Sequence, residues 1–262
     1  MKRILSLAAS VLLLASCGSL NLSNLNSQRA LQSVMLASQA LTVSDADVQA
    51  YVHEYITQLD AQSIVLPENN AYTKRLRTLT KGLDGVNEVP LNFKVYQESE
   101  INAFACADGS VRVYTGMMDT MTDNELLGVI GHEIGHVALN HTRRQMQSAI
   151  LASAAREGLA STSDKVAALT DSQLGDIGET ILNSHFSRKQ ETEADDYGYN
   201  FLVAAGKNPW AMVQSFEKLQ ELSGGSQSSA VANLFSSHPD TGSRIERISQ
   251  RCINDGYSRP TK

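Results

Sequence analysis

Two histidines four positions apart, with a glutamate beside the first, are the residues of this sequence best suited to chemistry: Gly131-His132-Glu133-Ile134-Gly135-His136. On an α-helix each residue turns about 100°, so positions i and i+4 stand about 40° apart, one turn above the other. Two imidazoles so placed can share one zinc ion at about 2.0–2.1 Å, and Glu133 then lies where a base for water is needed. The context favours this. Leu126-Leu127-Gly128-Val129-Ile130 leads directly into the motif, and burying His-Glu-His in an apolar helix without a compensating partner is costly. The competing reading is a pair of hydrogen-bonded histidines on a partly exposed helix.

A catalytic zinc takes three protein ligands and keeps one position open. Glu191-Thr192-Glu193-Ala194-Asp195, 55 residues beyond His136, offers carboxylates for the third. Glu191 and Asp195 are spaced i, i+4 on an expected helix and share a face, whereas Glu193 and Asp196 turn away from it. Glu191 is assigned as the third ligand. Asp195 is the acceptor for the free ring N–H of a ligand histidine, which fixes that ring's orientation. Zinc, one ion per chain, is preferred over other divalent ions for a set of two imidazoles and one carboxylate.

With His132-Glu133-Ile134-Gly135-His136, Glu191-x-x-x-Asp195 and the preceding Ser187-Arg188, the sequence resembles the HtpX/CaaX-prenyl-protease family of gluzincin metallopeptidases. It is most similar to the LoiP-type outer-membrane lipoprotein branch, through Asn102-Ala103-Phe104-Ala105, Arg112-Val113-Tyr114, Met121-Thr122-Asp123-Asn124-Glu125 and Ser236-Ser237-His238-Pro239. The resemblance spans about residues 44–252 and implies a compact zincin core with endopeptidase activity. It also implies that Asn102, Ala103 and Phe104 lie on an edge strand along which an extended substrate pairs. His238-Pro239-x-x-x-x-Arg244 matches a pattern found near the active site in that family, implying contact of His238 and Arg244 with substrate or oxyanion. Against this stands a helix-start histidine and a surface arginine. His53, His141 and His185 have no partner pattern and are expected to be ordinary surface or core residues, and Met117, Met118 and Met121 to pack in the core or line the cleft.

The elements that must position these groups can be traced along the chain. Ser44 caps a helix to about Leu59, and a second helical pattern runs from Glu68 to Leu83. Leu91 to Gln97 and Ser110 to Thr115 alternate as half-buried strands, with a tight turn at Asp108-Gly109. Thr122 and Glu125 form a capping box for the motif helix, expected to reach His141, with another helix from Thr142 to Arg156. Further helices are expected from Ser187 to Ala205, from Asn208-Pro209 to Gly224-Gly225, and from Asp240 to Cys252. The fold class is α+β: one mostly helical domain, residues 44–262, with a small sheet beside the motif helix.

The N-terminus is an address. Lys2 and Arg3 precede an apolar run of about eleven residues, Ile4 to Leu14, too short for the roughly twenty that cross a bilayer. Leu14-Ala15-Ser16-Cys17 resembles a lipobox, with 1–16 as signal peptide, Cys17 as the lipidated residue and 17–43 as a tether; the alternative is an ordinary secretory signal with a chance cysteine. Gly18 after Cys17, where aspartate marks inner-membrane retention, points to the periplasmic face of the outer membrane. Cleavage there removes two basic residues and no acid, taking the net charge from −6 to −8. Cys106 and Cys252 then either pair as a disulfide or remain two separate buried thiols. Relatives are small and glycine-rich around Cys106, so no pairing carries over from them.

Composition agrees with a folded chain that has a sizeable core. Hydrophobic residues make up 42% and charged residues 19%, and 22 Lys+Arg stand against 28 Asp+Glu, which excludes a disordered chain and the basic footprint of a nucleic-acid binder. The expected function is zinc-dependent endoproteolysis of unfolded or damaged envelope proteins, with Glu133 as base. The alternative is an assembly factor that binds unfolded outer-membrane proteins with little proteolysis.

Overall fold

A three-stranded sheet and one apolar helix set the position of everything else. The computed structural model describes residues 45–156, 185–224 and 228–260; the expected signal peptide, the tether with Cys17 and the stretch 157–178 lie outside them. Helix α1 (Asp45–Gln62) leads to α2 (Ala71–Leu79). The latter starts later than its pattern predicts, because Asn70 caps it by accepting a hydrogen bond from Tyr72 N at 2.9 Å. A hairpin follows, β1 (Gly85–Val86) and β2 (Val89–Pro90), absent from the sequence reading. Its turn residues Asn87 and Glu88 both take positive φ, 46° and 69°, without the glycine that usually marks such a turn.

The sheet contains β3 (Asn92–Tyr96), β4 (Ala103–Ala105) and β5 (Ser110–Tyr114) in the order β3-β5-β4, with β3 parallel and β4 antiparallel to β5. Between β4 and β5 the chain turns at Gly109, whose φ is +85° and where a Cβ would stand 2.0 Å from Pro90 O; only glycine fits. Helix α1 is tied to the sheet by buried charge. Arg112 donates to Asp60 from Nε at 2.8 Å and from Nη2 at 3.0 Å, and Lys94 Nζ adds a third bond at 2.7 Å.

After the short α3 (Thr115–Thr120), the expected capping box starts α4 (Asp123–Ala138): Glu125 accepts from Thr122 N at 2.7 Å, and Thr122 Oγ1 caps Glu125 N. Every residue of α4 from Leu126 to Ala138 is buried. The helix ends three residues before the expected His141. Asn140, with φ 58°, reverses the chain so that His141 opens α5 (His141–Arg156). Helix α6 (Arg188–Ala204) carries its own capping box, Ser187 with Gln190, and lies against α4. A Cβ at Gly131 would stand 2.6 Å from the Phe201 ring, so glycine there permits the close approach. Helices α7 (Trp210–Ser223), α8 (Ala232–Ser237) and α9 (Thr241–Asn254) complete the described chain. Thus the domain is mostly helical with a small sheet flanking the motif helix.

The two thiols do not pair. Cys106 packs with Tyr51, Val52 and Met146 against α1, Cys252 with the main core of the domain, and both are free. The disulfide alternative fails because the cysteines sit in separate clusters. Burial pushes both thiols up, Cys252 to about 11.

Candidate metal centre and substrate cleft

Helix α4 presents His132 and His136 one turn apart, and α6 delivers Glu191 opposite them. His132 Nε2 and His136 Nε2 are 3.1 Å apart; Glu191 Oε1 is 3.4 Å from His136 Nε2, and Glu191 Oε2 is 3.6 Å from His132 Nε2. Donors arranged tetrahedrally around an ion at about 2.0–2.1 Å stand about 3.3–3.4 Å from one another. The three groups are therefore already at ligand spacing.

The protonation pattern agrees. His132 Nδ1 is 3.0 Å from Asp195 Oδ1, and an ionised carboxylate only accepts, so Nδ1 carries the hydrogen and Nε2 keeps its lone pair. Two imidazole nitrogens and a carboxylate thus converge with their lone pairs facing one another. Glu191 Oε2 is buried and accepts no aligned hydrogen bond, although Arg244 Nη1 lies 2.6 Å away. Burial alone would raise the Glu191 carboxyl, but the charge of His238 and the bond from its Nδ1 hold it well below the usual carboxylate range. Burial likewise drives His136 toward its neutral, ligating form. This donor set fits a divalent cation.

His238 follows α8 and ends up inside the cluster. Its Nδ1 is 3.3 Å from His132 Nε2 and 3.1 Å from Glu191 Oε1, and its Nε2 is 3.5 Å from Glu133 Oε1. His132, His136, Glu191 and His238 together form a four-donor group in which all ligand atoms lie within 4.8 Å. Arg244, on α9, is not the surface arginine of the alternative reading, nor is its guanidinium free for an oxyanion. It is 5% exposed and clamps Asp195 through Nη2 at 2.6 Å and Nε at 3.0 Å, reaching Glu191 with Nη1. Burial opposes ionisation of Asp195, but the adjacent Arg244 lowers its pKa to about 2.

A cleft of about 160 Å³ opens beside Glu133 and His238, bounded by β4, Tyr55, Met146 and Phe186. Tyr114 N donates to Asn102 O, and Cys106 N to Ser110 O. By antiparallel alternation Asn102, Phe104 and Cys106 face β5, while Ala103 and Ala105 turn backbone groups outward. Among the described residues β4 pairs with β5 alone. Of the three residues expected to bind substrate, Ala103 faces outward, with its N–H taken by Asn102 Oδ1 at 2.9 Å. The Phe104 ring instead packs edge-on against Tyr96 and Tyr114.

His141 departs from the sequence reading. It is 1% exposed, with Nδ1 3.1 Å from His136 Nδ1 and Nε2 3.2 Å from Glu193 Oε2. Phe186 was also missed; it stacks on His136 at 3.7 Å between ring centroids. The signal for His141 was its place just after Asn140, where a left-handed residue folds the chain back on the helix end.

The model of peptidase family M48 matches residues 68–252, more than half of the chain. The chain belongs to peptidase family M48. It is 44% identical to metalloprotease LoiP of Escherichia coli over 89% of this chain and 91% of that protein, and 40% identical to metalloprotease YcaL of the same organism over 95% and 96%. It is also 33% identical to the Escherichia coli β-barrel assembly-enhancing protease, over 60% of this chain and 34% of that longer protein. As an M48 metallopeptidase the chain has a zincin-like fold and uses zinc, and the buried His/His/Glu group on α4 and α6 can hold the ion.

Proposed function

We propose that this M48 peptidase is a zinc endopeptidase that cuts unfolded or damaged proteins of the bacterial envelope, with His132, His136 and Glu191 as ligands and Glu133 as base. The observation that carries the reading is the convergence of three lone-pair donors at ligand spacing beside a buried glutamate and an open sheet edge. His132, His136 and Glu191 would hold the zinc, which when bound would supply polarisation of the scissile carbonyl and a lowering of the attacking water's pKa from 15.7 toward about 7.

The chain's own residues do the rest. Asp195 holds His132 through Nδ1, and Arg244 holds Asp195. The outward carbonyl of Ala103 and the outward backbone of Ala105 pair with an extended substrate, which places one peptide bond over Glu133. Glu133 takes a proton from the attacking water at its carboxylate and returns it to the departing amine nitrogen. His238 Nε2, 3.5 Å from Glu133 Oε1, stands where it contacts the scissile group. Burial opposes its charging, but Glu133 and Glu191 raise its pKa, which favours a hydrogen-bond donor there.

The envelope setting rests on the leader and on what the relatives are called. Lys2-Arg3, the apolar run and Leu14-Ala15-Ser16-Cys17-Gly18 support lipid anchoring of Cys17 on the periplasmic face of the outer membrane, with residues 44–262 as the peptidase domain. Among the described residues no helix is long and apolar enough to cross a membrane. A pure binding role is the weaker reading, since it needs neither the donor cluster nor the base.

The test is digestion of a denatured outer-membrane protein by the chain beginning after Cys17. Cleavage should stop on chelation, return with zinc, and be lost in Glu133→Gln while zinc is kept. Full cleavage by Glu133→Gln would overturn the mechanism.

A further inference from the structure

The two ligand histidines are braced differently. His132 passes its Nδ1–H directly to Asp195, a buried carboxylate clamped by Arg244. His136 instead meets another imidazole, His141 Nδ1 at 3.1 Å, whose far nitrogen is 3.2 Å from Glu193 Oε2. An ionised carboxylate can only accept, so His141 Nε2 carries the hydrogen and His141 Nδ1 keeps a lone pair. That lone pair can accept only if His136 Nδ1 donates, which leaves the lone pair of His136 on Nε2, facing His132 and Glu191. Phe186, stacked at 3.7 Å with 22° between planes, restrains the tilt of the His136 ring, and His141 sets where its nitrogens point.

We infer that His141, aligned by Glu193, is a positioning residue that fixes the tautomer and direction of His136 for the metal. This rests on the metal reading above. The arm differs from that of Asp195 in reach: Glu193 is 41% exposed at its side chain, with Lys189 Nζ 3.7 Å from Oε1. The orientation of one ligand is therefore governed from the protein surface, through a residue outside both ligand segments.

The experiment measures zinc dissociation constants by chelator competition on the chain beginning after Cys17. The proteins are wild type, His141→Leu, His141→Gln, Glu193→Ala and the His141→Leu/Glu193→Ala pair, and the melting temperature of each metal-free protein is measured alongside. His141→Leu should weaken zinc binding about 10–100-fold. His141→Gln should restore it close to the wild-type value, because the amide accepts at Oε1 and donates at Nε2. Glu193→Ala, an exposed change that leaves folding intact, should weaken zinc by less than His141→Leu and add nothing in the His141→Leu background. The inference is overturned if His141→Leu binds zinc like the wild type and merely melts lower without metal, if His141→Gln is as weak as His141→Leu, or if Glu193→Ala costs the same in both backgrounds. A wild type that binds no zinc would instead overturn the metal reading.

Discussion

Two clusters of buried charge lie in this domain, built on opposite plans. In the one that fastens α1 to the sheet, Asp60 receives Arg112, Lys94 and Tyr96, and Arg112 spends a further N–H on Asn92 O at 3.0 Å. Donors meet acceptors and the network closes on itself. In the cluster between α4 and α6, lone pairs of His132, His136 and Glu191 face one another at 3.1–3.6 Å, while Asp195 and Arg244 orient His132 and Glu191 from behind. A closed network needs only the folded chain. A set of converging acceptors is held together against its own electrostatics and is relieved by a cation.

That contrast predicts different consequences when each cluster is cut. Glu133→Gln should lower kcat/KM on a protein substrate by about 10²–10⁴-fold and leave both zinc content and melting temperature near wild type. Asp60→Ala strands the buried Arg112 and should cost about 3–5 kcal/mol of stability in denaturant unfolding, with zinc affinity of the folded protein unchanged; a lost zinc site would break the separation. Asp195→Asn should loosen zinc about 10–100-fold by chelator competition, a change the Asp60 variants do not make.

The smallest effect concerns pH. Burial raises the Asp60 carboxyl, but hydrogen bonds from Arg112, Lys94 and Tyr96 outweigh it and hold the group below its ordinary value. A depressed pKa contributes stability that is complete above the unfolded value of about 3.9 and is lost as pH falls toward the folded one. The stability gap between wild type and Asp60→Asn should therefore be full at pH 7 and narrow below about pH 4. A gap that widens on acidification would reverse the assignment.

Much of the site was legible because it is local or strictly periodic. Spacing alone set His132 over His136 and put Glu191 and Asp195 on one face, and the Thr122/Glu125 capping box started α4 where expected. Residues placed by backbone conformation were not legible. His141 reaches His136 only because Asn140 adopts φ 58°, and the Asn87-Glu88 turn has no glycine to announce it. Arg244 was open between a family-pattern contact with substrate or oxyanion and a surface arginine, because its partners, Glu191 and Asp195, lie about fifty positions away in sequence. The cysteines show the same limit: nothing local tells that Cys106 faces α1 while Cys252 faces the main core.

The most direct test is anomalous diffraction at the zinc edge from crystals grown with the metal. A single peak about 2.0–2.2 Å from His132 Nε2, His136 Nε2 and a Glu191 oxygen is the predicted result. Zinc bound elsewhere, or Glu191 turned away from the two imidazoles, would contradict the account.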